Sequence, residues 1–180
     1  MSTPTIENCL QGIESKHILL DTCFFIDAGK SILLNGEQEY IELIDSFRAR
    51  ENVFVTIFPV AIEFYRGSDL IFDFEQKKNF LIGLVEKIIP IDPQIIENAY
   101  QLCLAYRKNG KDVEPTDIII GATLGKYGDG VLLLTRNINH FPVKILTVSL
   151  RYQFNTQMGE LSYIQSSKTQ PIKLIRFLKN

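Results

Sequence analysis

A layered α/β fold, with a central, mainly parallel sheet of about five strands flanked by helices, is the architecture that the sequence predicts. Short runs of Ile, Val and Leu, suited to strands covered on both faces, recur along the chain. Longer segments of helical period separate them, an alternation that favours parallel strands joined by right-handed crossovers. Three of those longer segments open on Pro, and several close on or just before Gly, as helices do.

Taken in order, strands are expected at His17 to Thr22, Asn52 to Thr56, Ile88 to Ile91, Val131 to Thr135 and Lys144 to Val148, each a short apolar run. Helices are expected at Gln38 to Arg50, Pro59 to Gly67, Phe72 to Lys87, Pro93 to Lys108 and Pro115 to Tyr127. Beyond Ser149 the chain turns polar through FNTQMG and regains an apolar stretch, IKLIRFL, expected to dock on the domain or a partner.

Length and composition narrow the classes. A chain of 180 residues, 46% hydrophobic and 22% charged, suits one globular domain with terminal additions. The division expected is an N-terminal extension over 1–16, an α/β domain over 17–148 and a basic C-terminal extension over 149–180. That last segment carries +4 of formal charge although the whole chain is at -2. No apolar run approaches the roughly 18 to 20 residues that cross a bilayer, and the N-terminus lacks the layout of a signal peptide. A cytoplasmic protein without membrane contact is therefore expected. Cys9, Cys23 and Cys103 are odd in number and far apart, which argues against a disulfide framework or a zinc site and for buried or incidental thiols.

The chemistry is carried by carboxylates set among apolar residues. Asp21 directly follows Ile-Leu-Leu, at the carboxyl end of the first strand, where α/β folds gather their functional groups. It equally suits the cap of a following turn or helix. Glu63, in VAIEFYRG, shares a helical face with Val60 and Gly67 that should look inward, where a carboxylate needs a base such as Arg66, a proton or a cation. Asp117, in PTDIIIGATLG, lies in a first helical turn and suits electrostatic capping. It also heads a stripe with Gly121 and Gly125 that is expected to be buried. At the end of LLLTRNINHF, Thr135 and Asn137 can hydrogen-bond a carboxylate or water, and His140 is a candidate ligand or phosphate contact, though a histidine with a purely structural partner fits as well. Carboxylates converging on one sheet edge repel each other, and an oxygen-only donor set favours Mg2+ or Mn2+ over zinc.

At these residues the sequence resembles the PIN-domain ribonucleases, and within them the VapC-type toxins of toxin-antitoxin pairs. The elements are LLDT, AIEFYRG, PTDIIIGATLGKYG and TRNINHF in order, spread from about His17 to Val148. The resemblance implies a PIN-like three-layer fold and Mg2+- or Mn2+-dependent hydrolysis of RNA. Asp21 and Asp117 would then be metal ligands, and Glu63 would bind metal directly or through water and orient the attacking water. Asn137 would complete the catalytic set, with Thr135, His140 and Thr116 in support. Arg66, Arg136 and Lys111 are candidate phosphate contacts. An RNA substrate, a cognate antitoxin and a homodimer are the partners it implies. Two departures stand out: Cys23 replaces the usual Asn or Ser, and the last motif offers Asn137 and His140 where an Asp is common. The alternative is a catalytically weak or inactive PIN-like module that binds RNA or protein. A haloacid-dehalogenase phosphatase is disfavoured because the second Asp it needs is Cys23, and PIDP around Asp92 suits a phosphoacceptor site poorly.

Overall fold

The computed structural model describes residues 16–30, 32, 39–68, 71–108, 110, 112–137, 140–141, 148–156 and 159–166. All but the last residue of the expected N-terminal extension, the apolar segment 172–178 and all but the last residue of the strand expected over 144–148 lie outside these.

Strands β1 (His17–Leu20), β2 (Val53–Ile57), β3 (Lys87–Ile89) and β4 (Val131–Thr135) form the parallel part of the sheet. The sheet is extended by two further strands, β5 (Val148–Thr156) and β6 (Gly159–Ser166), in the order β3-β2-β1-β4-β6-β5. Four strands therefore run parallel where about five were expected, and β6 pairs antiparallel with both β4 and β5. β5 and β6 fall at and beyond the expected domain boundary at 148, yet they continue the sheet. The parallel core is covered on both faces: Ile18, Leu19 and Leu20 are each fully buried although alternate residues point to opposite sides.

Among the described residues six helices supply that cover: α1 (Thr22–Gly29), α2 (Glu39–Arg48), α3 (Phe58–Arg66), α4 (Ile71–Leu84), α5 (Pro93–Lys108) and α6 (Pro115–Tyr127). In α2 the buried residues Tyr40, Leu43, Ile44 and Phe47 fall at the spacing of one helical face, and Phe47 meets Phe54 of β2 edge to face at 5.9 Å. Phe25 of α1, Phe64 of α3 and Phe80 of α4 join those three helices through ring contacts. Helices α5 and α6 begin and end where the Pro and helix-period signals placed them.

The first strand is shorter than expected, because Asp21 stops it. Its extended backbone (φ -85°, ψ 163°) and its carboxylate, which accepts the Thr22 N–H at 2.6 Å, begin α1, a helix absent from the sequence-based expectation. β1 lies between β2 and β4, and the chain leaves β1 toward β2 but leaves β4 toward the other edge of the sheet. The carboxyl ends of β1 and β4 flank the crevice that such a reversal creates.

Candidate active site

Asp21 is delivered to that crevice by β1, and its own N–H still reaches the Leu134 carbonyl of β4 at 3.3 Å. Its side chain is 5% exposed. One carboxylate oxygen takes the Thr22 N–H. The other, Oδ2, accepts the Thr135 hydroxyl at 2.6 Å and the Cys23 thiol at 3.1 Å. Burial pushes the Asp21 carboxyl above its ordinary range against the lowering effect of these bonds, and the charge of Glu63 adds to the rise.

The neighbouring loop repeats the arrangement for Asp117. Thr135 Oγ1 accepts the Asn137 N–H at 2.9 Å, and Asn137 Nδ2 lies 2.7 Å from His140 Nδ1. The same His140 nitrogen contacts Asp117 Oδ2, while the Tyr106 hydroxyl donates to the His140 carbonyl. Asp117 sits in the first turn of α6 and is buried. Burial raises its pKa first, and the charges of Asp21 and Glu63 raise it further. Tyr106 is also raised, by burial and then by Asp117.

Glu63 differs from the expectation. The face of α3 that turns inward carries Val60, Ala61 and Phe64, whereas Glu63 and Gly67 are exposed. The carboxylate still belongs to the site, because Glu63 Oε2 accepts the Thr22 hydroxyl at 3.0 Å. Among the described residues no ion pair joins it to Arg66. Thr22 thus links two carboxylates, by its N–H to Asp21 and by its hydroxyl to Glu63. Thr116 is half-buried beside Asp117 and makes no hydrogen bond to the three carboxylates among the described residues.

Two participants were not singled out as site residues from the sequence. Cys23 is no incidental thiol: its sulfur also accepts the Arg136 N–H at 3.2 Å. Burial, followed by the Asp21 charge, pushes the thiol up to about 12, so it stays protonated and serves as a donor. Asp27, 1% exposed, pairs with Arg136 Nε at 2.8 Å, which commits Arg136 inward. The available signal was the i, i+4 spacing of Cys23 and Asp27, which puts both on one side of α1. Lys111 lies outside the described residues.

The structure therefore brings Asp21, Thr135, Asn137, His140 and Asp117 into one run of polar contacts, in which His140 Nδ1 either donates to Asp117 or accepts from Asn137, with Glu63 joined at its edge. In donor chemistry carboxylate oxygens suit a hard divalent cation, although Asp117 already faces the His140 ring. Among the described residues, however, no three His, Cys, Asp or Glu side chains gather as a group that could hold a metal ion. The Oδ2 atoms of both aspartates are engaged by protein donors instead.

No protein-family model matches the sequence, and no curated protein is similar to it at a significant level. Among solved structures, a chain of VapBC-1 from nontypeable Haemophilus influenzae matches with a TM-score of 0.50 at 20% identity. The match covers 69% of this chain and 90% of that one. A likeness at that identity concerns the fold, and the fold is PIN-like: a parallel sheet between helices, with its crevice at the carboxyl ends of β1 and β4.

Proposed function

We propose that this chain is a divalent-metal-dependent endoribonuclease of the VapC type, the toxin of a type II toxin-antitoxin pair, acting in the cytoplasm as a homodimer. The observation that carries the reading is the run of polar contacts that brings Asp21 and Asp117 together at the carboxyl edge of the sheet, with both pKa values raised by burial and then by neighbouring carboxylate charge, that of Glu63 for Asp21 and those of Asp21 and Glu63 for Asp117. The fold shared with a chain of VapBC-1 supports it.

In this reading Asp21 and Asp117 hold Mg2+ or Mn2+, and Glu63, the exposed member, orients or deprotonates the attacking water from the rim. A bound cation of this kind supplies charge stabilisation at phosphorus and eases deprotonation of water. Thr135 fixes Asp21 Oδ2, and Asn137 with His140 fixes Asp117 Oδ2. Thr116 supports the first turn of α6. An antitoxin would lay a segment across the acidic crevice and offer an Arg to its carboxylates.

Cleavage of end-labelled RNA with and without Mg2+ or Mn2+ tests the assignment. Asp21→Asn should lower the rate by about a hundredfold or more, the equivalent of ~3 kcal/mol, while circular dichroism shows an unchanged fold. Equal cleavage by variant and parent rejects it. The engagement of both Oδ2 atoms and the lack of a three-ligand group favour a second reading, a PIN-like module that binds RNA or protein without catalysis. Mn2+ titration separates the two, since an active site binds Mn2+ in a manner lost in Asp117→Ala and a binding module holds RNA without metal.

A further inference from the structure

Helix α1 grips the chain just past β4 at two points one helical turn apart. Cys23 Sγ accepts the Arg136 N–H at 3.2 Å, and Asp27, four residues further along α1, pairs with Arg136 Nε at 2.8 Å. The main chain and the side chain of one residue are thus tied to one helix. The tie falls where the sheet stops holding the chain, since the register of β4 ends at Leu134 toward β1 and at Thr135 toward β6. The residues on either side of Arg136 carry donors of the site. Thr135 Oγ1 donates to Asp21 Oδ2 at 2.6 Å and accepts the Asn137 N–H at 2.9 Å, and Asn137 Nδ2 lies 2.7 Å from the His140 nitrogen that contacts Asp117.

A buried carboxylate is a costly anchor. Asp27 is 1% exposed, and among the described residues no well-aligned hydrogen-bond donor reaches its Oδ2, so its charge is offset by the Arg136 guanidinium and, less, by Lys30. For stability alone, a well-packed apolar pair does as well as a buried ion pair or better. What an apolar pair does not supply is direction, whereas a planar guanidinium held at Nε by a fixed carboxylate keeps one orientation. We infer that Asp27 is a positioning residue: through Arg136 it holds residues 135–137 in one geometry and so aims the donors that fix Asp21 and Asp117. Its effect on a bound cation rests on the metal-dependent nuclease reading; the framing of the loop does not.

The test replaces both charges by apolar volume, in Asp27→Leu/Arg136→Met, and one charge by an isostere, in Asp27→Asn. Amide hydrogen exchange followed by NMR reads positions 136 and 137, and calorimetric titration reads Mn2+ affinity. The double variant is expected to melt at or above the parent's temperature, as apolar replacement of a buried pair commonly does. Its amides at 136 and 137 should nevertheless exchange about five- to tenfold faster, the loss of one hydrogen bond's net stabilisation, while the β4 amides before them stay protected. Mn2+ affinity should fall about tenfold or more, as it does when groups that orient metal ligands are lost. Asp27→Asn should move both readouts in the same direction by a smaller factor, and it decides the matter if the double variant does not fold. Parental exchange at both amides in a folded variant overturns the inference, and so does faster exchange with the parent's Mn2+ affinity unchanged. A parent that binds no Mn2+ rejects the nuclease reading; faster exchange in the variants then still upholds the framing, and parental exchange still overturns it.

Discussion

Asp27 is the most deeply buried charged side chain described, and its partner Arg136 is 37% exposed. That asymmetry gives the pair a direction. Removing Arg136 strands a carboxylate in the interior, whereas removing the Asp27 charge leaves a guanidinium that water can reach. Burial already holds the Asp27 carboxyl above its ordinary range, with Arg136 and then Lys30 opposing the rise. Arg136→Ala should therefore cost about 3 kcal/mol, a fall in melting temperature of roughly 10 °C for a chain of this size, and Asp27→Asn clearly less. The pH dependence has a definite sign. A carboxyl whose folded pKa lies above its unfolded value loses stability as pH rises through the folded value and regains it on acidification. The Arg136→Ala deficit should be greatest near neutral pH and shrink as pH falls through the raised Asp27 pKa. Thermal melts of the two variants across pH check both statements, and equal losses at all pH values would remove the ion pair from the account. Arg136 stands between Thr135 and Asn137, which hold the two aspartates, so the same variants report how firmly the site is framed.

Helices α5 and α6 were legible because each opens with Pro and runs for more than three turns; in α5 the buried Ile95, Ala99, Leu102, Ala105 and Tyr106 also recur at helical spacing, whereas α6 is buried nearly all round and was marked by its Pro and its length. Helix α1 was not, because TCFFIDAG is apolar nearly all round and only eight residues long, so periodicity had nothing to distinguish. The same shortness misplaced Glu63: over nine residues of α3, the Val60 and Gly67 spacing suggested an inward arc that Ala61 and Phe64 in fact define. Asp21 and Asp117 could be singled out as candidates because each lies at an element boundary, where a carboxylate among apolar neighbours is visible in the sequence. The Cys23, Asp27 and Arg136 contacts join segments distant in the chain, and local pattern does not encode them. Gly125 offers a test of the α6 stripe. A Cβ there would meet only Asn98 Nδ2 at 3.7 Å, an ordinary contact, so close backbone approach does not require glycine at this position. Gly125→Ala should raise stability by about 0.5 to 1 kcal/mol through reduced backbone entropy in the unfolded chain. A loss of that size in denaturant titrations would mean that α5 and α6 pack more tightly than this contact indicates.

At the scale of the whole molecule, the sheet carries its acidic crevice next to β4, and β4 is not an edge. β1 pairs with one side of it and β6 with the other, in register from Leu132 with Gln165 to Thr135 with Ser162. The β6 backbone, itself paired with β5, thus satisfies a row of N–H and C=O groups on a strand whose five residues are all buried. Truncation after residue 147 removes that pairing and leaves a flat apolar strand able to recruit a second chain. The truncated protein should elute as assemblies larger than the full chain's, or aggregate, on size-exclusion chromatography. Its melting temperature should fall as well. Thr135 ends β4 and binds Asp21, so the loss should extend to the site, lowering any metal-dependent cleavage more than a distant deletion would. A truncated chain that stays monodisperse, melts like the parent and cleaves at the same rate would show that β4 does not depend on the hairpin, and that the working domain ends near residue 148.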